Sequence, residues 1–157
     1  MRIVLLTGFL AVFAFTLTAQ TTRNKNLKIA ERAFAAWEKG ENSGDYADFK
    51  KLLAPDFEIF SHPLQPSRGI FKGAAALAKM NELIASRKKS PNNLKFSNII
   101  VTNNRNTFVF LFDSAGPVAG GFPYRGWNAV ALTVKNNRIS GFREYFGDVE
   151  PNWFKVQ

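Results

Sequence analysis

Residues 35–63 read AAWEKGENSGDYADFKKLLAPDFEIFSHP, and three changes of pattern fall within them. Upstream, Ile29, Ala30, Ala33, Phe34 and Trp37 recur at helical spacing, while Lys25, Lys28, Arg32 and Lys39 take the other side. That is one amphipathic helix, expected over Leu27–Lys39 after a polar lead, Thr21–Asn26. Gly40–Gly44 is expected to break it. Asp45 then reads as the N-cap of a second, short helix with Tyr46, Phe49, Leu52 and Leu53 inward, stopped by Pro55. Asp56–His62 alternates as a strand does, and Pro63, Pro66 and Gly69 make the loop after it.

Working outward, Gly73–Lys89 is a third helix, with Leu77, Met80, Ile84 and Arg87 at helical spacing. Beyond Ser90-Pro91-Asn92-Asn93 the period becomes two. Strands are expected over Leu94–Thr102, Thr107–Asp113, Trp127–Lys135 and Arg138–Phe146. The turns between them are Asn103–Asn106, the glycine-rich stretch Gly116–Gly126, and Asn136-Asn137, whose two residues suit a tight hairpin. Helices first and an antiparallel meander second make an α+β domain with the helices on one face of the sheet.

Composition narrows the chemistry. The chain has 157 residues, of which 46% are hydrophobic and 16 are Phe, enough for one core and too apolar for disorder. Cys is absent, which excludes a thiol nucleophile, a disulfide framework and a cysteine-held metal or cluster; the single His excludes a centre needing two imidazoles. Net charge is +9, with 21 Lys and Arg against 12 Asp and Glu. These cations are spread along the chain with no aromatic-interleaved cluster, so a basic surface is expected and nucleic-acid binding is not. The glycines of 116–126 lack the spacing and the following helix of a phosphate loop.

The first residues, MRIVLLTGFLAVFAFTLTAQ, have one Arg, an apolar run and a Thr-Ala-Gln end. This is the form of a secretory signal cleaved after Ala19. The apolar run is shorter than the ~20 residues a spanning helix needs. The expectation is therefore a signal over 1–19 and a single exported domain over 20–157, periplasmic or extracellular, with no stable membrane anchor once cleaved.

The segment at 35–63, with its Gly-Asp helix end and a strand delivering a polar residue just before Pro, resembles the nuclear transport factor 2-like superfamily. So does the closing hairpin KNNRISGFREYFGD at 135–148. The likeness extends over essentially all of residues 25–150 and points to the SnoaL-like branch, which holds polyketide cyclases and relatives of ketosteroid isomerase. It implies a cone-shaped, curved antiparallel (mixed) sheet with three helices packed on one face. It also implies a cavity for a small hydrophobic or aromatic molecule, no cofactor or metal, and a homodimer through the outer sheet face, to which Val109, Leu111 and Val130 would contribute. The resemblance puts a base at the residue before the strand's Pro, which here is His62 in place of the isomerase's carboxylate. Trp37 falls where the isomerase has a Tyr, and Ala129, next to Asn128, where it has a protonated Asp. Isomerase chemistry in its known form is therefore not expected.

An imidazole suits proton abstraction at neutral pH, so His62 is the candidate base. Alternation places Phe142, Glu144 and Phe146 on one face of the last strand, where Glu144 could orient His62. Trp37 and Asn128 could donate hydrogen bonds to a developing oxyanion. Phe34, Phe60, Tyr124, Trp127, Phe142 and Phe146 complete the expected pocket, with Tyr124, Arg125 and Trp127 near its mouth. Two functions fit. One is cofactor-free acid–base chemistry (cyclisation, isomerisation or hydration) on a carbonyl compound. The other is a binding module, for a ligand or a protein partner, that uses the same cone without reaction.

Overall fold

A computed structural model describes residues 4–61 and 69–146, with side chains for 23–60 and 69–145. Helix α1 runs Val4–Ser43, α2 Ala47–Leu52 and α3 Gly73–Lys89; the strands are β1 Leu53–Ser61, β2 Gly69–Lys72, β3 Lys95–Asn104, β4 Thr107–Pro117, β5 Pro123–Lys135 and β6 Arg138–Phe146. The six strands form one curved sheet in the order β2-β1-β6-β5-β4-β3. All neighbours are antiparallel except β1 and β6, which are parallel. The sheet is mixed because the chain leaves β1, crosses through β2 and α3, and builds the meander before returning to β1's edge.

Several boundaries differ from the sequence reading. The first helix includes the polar stretch expected as a lead, and it passes through Gly40 to end at Ser43. Gly44 stops it: its φ is +73°, and a Cβ there would meet the Lys88 backbone at 2.7 Å. The N-cap of the second helix is Tyr46 and not Asp45, which lies one residue earlier and accepts at Oδ1 from the Ala47 N–H at 3.1 Å, a turn ahead of the helix. Pro55 lies inside β1 and does not end α2. The loop expected to include Gly69 gives way there to a short edge strand, β2, which periodicity did not reveal in four residues. At the Asn136-Asn137 turn both residues have positive φ, 50° and 59°, which is the conformation a tight hairpin between twisted strands demands.

The core lies between the sheet and the helices. Ala30 and Ala33 of α1 are fully buried, which lets the helix come close to the strands. Against them stand Phe108, Phe110 and Phe112 of β4, Val130, Leu132 and Val134 of β5, and Ile139 and Phe142 of β6, each at most 4% exposed. Phe34 stacks on Phe110 with ring centres 4.4 Å apart and planes 5° from parallel.

Candidate functional site

Along each inward-facing row the apolar residues give way to polar ones toward one end of the cone. On β4 the row is Phe108, Phe110, Phe112, Ser114; on β5 it is Val134, Leu132, Val130, Asn128; on β6 it ends at Glu144. At that end the core opens into a cavity of about 300 Å³. Its apolar wall is Trp37, Leu94, Phe96, Phe112 and Phe122, and its polar groups are Glu41, Arg87, Asn92, Ser114, Tyr124, Asn128 and Glu144. The volume suits a small, mostly apolar molecule with a few oriented polar groups around it.

Glu144 is the chemically distinctive group. Its carboxyl faces the cavity, and burial pushes its pKa up to about 8, with the nearby Glu41 charge adding to the rise and Arg87 opposing it. Among the described residues nothing hydrogen-bonds it. At neutral pH it is therefore mostly a carboxylic acid, a proton donor and not a counter-ion.

Two hydrogen-bonded arrays flank it. On the sheet, the Tyr124 hydroxyl donates to Asn128 Oδ1 at 2.7 Å, and Asn128 Nδ2 donates to Ser114 Oγ. Burial pushes the Tyr124 hydroxyl's pKa up, so it stays protonated. On the helical side, Glu41 accepts from the Tyr46 hydroxyl and from Asn92 Nδ2 at 2.8 Å, and pairs with Arg87 Nε at 2.8 Å. Arg87 also donates to Asn92 Oδ1 at 3.0 Å, and the same oxygen accepts from the Ala119 N–H at 2.9 Å. Asn92 thus ties the β4–β5 loop, with Val118, Ala119 and Phe122 at the cavity, to the Glu41–Arg87 pair. Burial raises the pKa of Glu41, outweighing the Arg87 charge and the Tyr46 hydrogen bond that pull it down.

Of the residues expected from sequence, the structure brings Trp37, Asn128, Tyr124 and Glu144 to one cavity. Trp37 is 3% exposed and packs against Phe96 and Phe142, with ring centres 5.6 and 6.0 Å away. Its indole N–H has no acceptor among the described residues. Asn128 spends one donor and its oxygen on Ser114 and Tyr124, so it orders the wall more than it addresses a ligand. Phe34 and Phe142 are core residues behind the cavity wall.

Phe60 and Trp127 are corrections. Both are on the opposite face of the sheet: Phe60 stacks on Tyr145 at 6.4 Å beneath Arg143, and Trp127 is 58% exposed. Each is one residue out of phase with an inward neighbour, Ile59 and Asn128, and the pleat sends it outward. Arg125 shares Trp127's outward phase, and Val130, expected on the outer face, is fully buried inside. His62 and the Phe146 side chain lie outside the described residues. Glu41, Arg87 and Asn92 were not singled out, although Glu41 follows Trp37 by four residues on the same helical stripe and Arg87 continues the apolar stripe of α3. A charge on an apolar stripe was the available signal. Among the described residues no three His, Cys, Asp or Glu side chains converge as metal ligands would.

No protein-family model matches the chain, and no curated protein matches it. Solved structures do. A nuclear transport factor 2-like protein of Anabaena variabilis superposes with a TM-score of 0.69 at 28% identity, covering 79% of this chain and 90% of that one. A Xanthomonas campestris protein with a provisional polyketide cyclase assignment gives 0.60 at 15% identity, over 80% of this chain and 92% of that one. A Catenulispora acidiphila protein with a ketosteroid isomerase-like fold, in complex with trimethylamine, gives 0.54 at 14% identity, over 73% and 85%. The chain has the nuclear transport factor 2-like fold, in the form shared by these polyketide cyclase-like and ketosteroid isomerase-like structures.

Proposed function

We propose that the cavity takes a small apolar carbonyl compound and carries out cofactor-free acid–base chemistry on it, with Glu144 as the proton donor. The observation that carries this reading is a carboxyl at the cavity wall, unpartnered among the described residues, whose surroundings push its pKa up to about 8. A substrate carbonyl oxygen would accept a hydrogen bond from Glu144 and, as a base removed a proton from the adjacent carbon and kept it, take the Glu144 proton to give an enol, leaving Glu144 ionised. Return of the proton at another carbon isomerises the substrate, and capture of an electrophile closes a ring. The sequence offers His62 as the base. Glu144 takes the donor's role and not that of orienting His62, because a neutral acid cannot stabilise an imidazolium. The Trp37 N–H is available as a second donor.

The test is hydrogen exchange. Incubating the chain in deuterated water with a panel of cyclic and aryl ketones should deuterate the carbon beside the carbonyl of at least one of them, followed by NMR. Glu144→Gln should slow this about 100-fold or more. The rate should fall above about pH 8 as Glu144 loses its proton. No exchange above the blank with any ketone would sink the reading.

A binding module is the second reading, and the trimethylamine complex of the Catenulispora protein favours it. With both carboxylates ionised the cavity holds two negative charges and the one positive charge of Arg87. An ammonium ligand would balance them, seated among Trp37, Phe96 and Phe122 as cations sit on aromatic faces. Calorimetry that found trimethylammonium binding with proton release from Glu144, and no ketone exchange, would select it.

The signal sequence makes this an exported protein in our reading. A homodimer is proposed through the outer sheet face, where Ile100, Leu111, Ala129 and Tyr145 form one cross-strand row and Ile100 is 63% exposed. Light scattering on Ile100→Lys, expected to be monomeric, tests it.

A further inference from the structure

Two carboxyl groups face one cavity, and their surroundings differ. Glu41 is held from three directions: the Tyr46 hydroxyl, Asn92 Nδ2 at 2.8 Å and Arg87 Nε at 2.8 Å. The backbone adds a fourth tie, since the Asn92 N–H donates to the Glu41 carbonyl at 2.8 Å. Even Tyr46 is fixed, because its ring lies flat on Gly40, where a Cβ would come within 2.4 Å of it. This explains a glycine inside a helix, where it otherwise costs stability. Burial and the Glu41 charge keep the Tyr46 hydroxyl protonated, so it remains a donor. Glu144 has no such support among the described residues.

Among the described residues, the charged and titratable groups that face Glu144 are Glu41 from α1, Arg87 from α3 and Tyr124 from β5. Arg87 is committed to Glu41 and Asn92, and the Tyr124 hydroxyl to Asn128. The donors have been spent on one carboxylate. Two like charges in one low-dielectric pocket cannot both form easily, so the supported one ionises first and the other keeps its proton. We propose that Glu41 is a positioning residue of this site: a carboxylate, fixed by Tyr46, Arg87 and Asn92, whose charge holds the proton on Glu144 across the cavity. The inference rests on the reading of Glu144 as the acid. It assigns the α1 terminus, which touches no reacting atom, control of the acid's working pH range.

The experiment is a ¹³C NMR titration of the full chain labelled at glutamate Cδ, with resonances assigned by their loss in Glu144→Gln and Glu41→Gln. In the wild type the Glu144 signal should titrate near 8, and the Glu41 signal should show a second, smaller inflection at that same pH. In Glu41→Gln the Glu144 midpoint should fall by about one unit or more, and Glu41→Asp should restore most of the rise. The inflection needs no variant, so a Glu41→Gln chain that fails to fold still leaves the proposal exposed to test. A Glu144 midpoint unmoved in folded Glu41→Gln, or a Glu41 signal flat through the wild-type Glu144 titration, overturns it while leaving Glu144 as the acid. A wild-type Glu144 midpoint in the ordinary carboxylate range overturns the reading beneath it instead.

Discussion

The two ends of the cone are built from the same three strands and the same helix, yet they solve opposite problems. At the closed end Ala30 and Ala33 let α1 settle on Phe108, Val134, Leu132 and Ile139, all essentially without exposure. At the open end, where the rows reach Ser114, Asn128 and Glu144, a cavity of about 300 Å³ remains beside Trp37 and Glu41. The closed end gains its stability from apolar burial. The open end retains a carboxyl in a place where ionising it is unfavourable. Such a group costs folding stability at alkaline pH, which marks it as a site and not as packing.

That contrast can be broken in four ways, in descending order of effect. Phe110→Ala removes the ring stacked on Phe34 at the closed side and should cost about 3–5 kcal/mol in denaturant unfolding. A much smaller loss would mean the closed end is looser than its burial implies. Glu144→Gln should do the reverse at the open end. The folded-state pKa of Glu144 lies above that of the unfolded chain, so its stability contribution is intact below about pH 4.5 and is lost as pH rises toward 8. The wild type should therefore lose a few kcal/mol over that window, and the variant should flatten the profile and be the more stable protein at pH 8. An unchanged slope would place the titration elsewhere. Gly40→Ala pushes on the Tyr46 ring and should destabilise by about 1–3 kcal/mol despite better helix propensity. Trp127→Ser, on the outer face, should change monomer stability by no more than about 0.5 kcal/mol. A large loss there would contradict its placement outside the cavity.

The fold was legible because its signals are periodic and redundant: the α1 stripe, the α3 stripe and a meander whose final strand, Arg138–Phe146, matched end to end. β2 was not, since four residues with an alternating exposure give little pattern and its pairing with β1 is a long-range fact. The site was half legible. Alternation groups Glu144 with Phe142 and Phe146, and the family resemblance turns that face inward and points to Asn128, whereas Phe60 and Trp127 show how a one-residue phase error moves a side chain to the other face. Glu41, Arg87 and Asn92 escaped for a different reason. Their meaning lies in one another, and residues 41, 87 and 92 meet only after α1 and α3 have packed. Charges on apolar stripes were visible, but their partners were not.

The central claim is that a carboxylic acid, protonated at neutral pH, faces the cavity at residue 144. Infrared difference spectroscopy between wild type and Glu144→Gln at pH 7 tests it most directly. The account predicts a protonated-carboxyl C=O band present in the wild type, absent in the variant and lost as the pH passes about 8. A carboxylate band from residue 144 already in place at pH 6 would contradict it, and with it both the acid and the role assigned to Glu41.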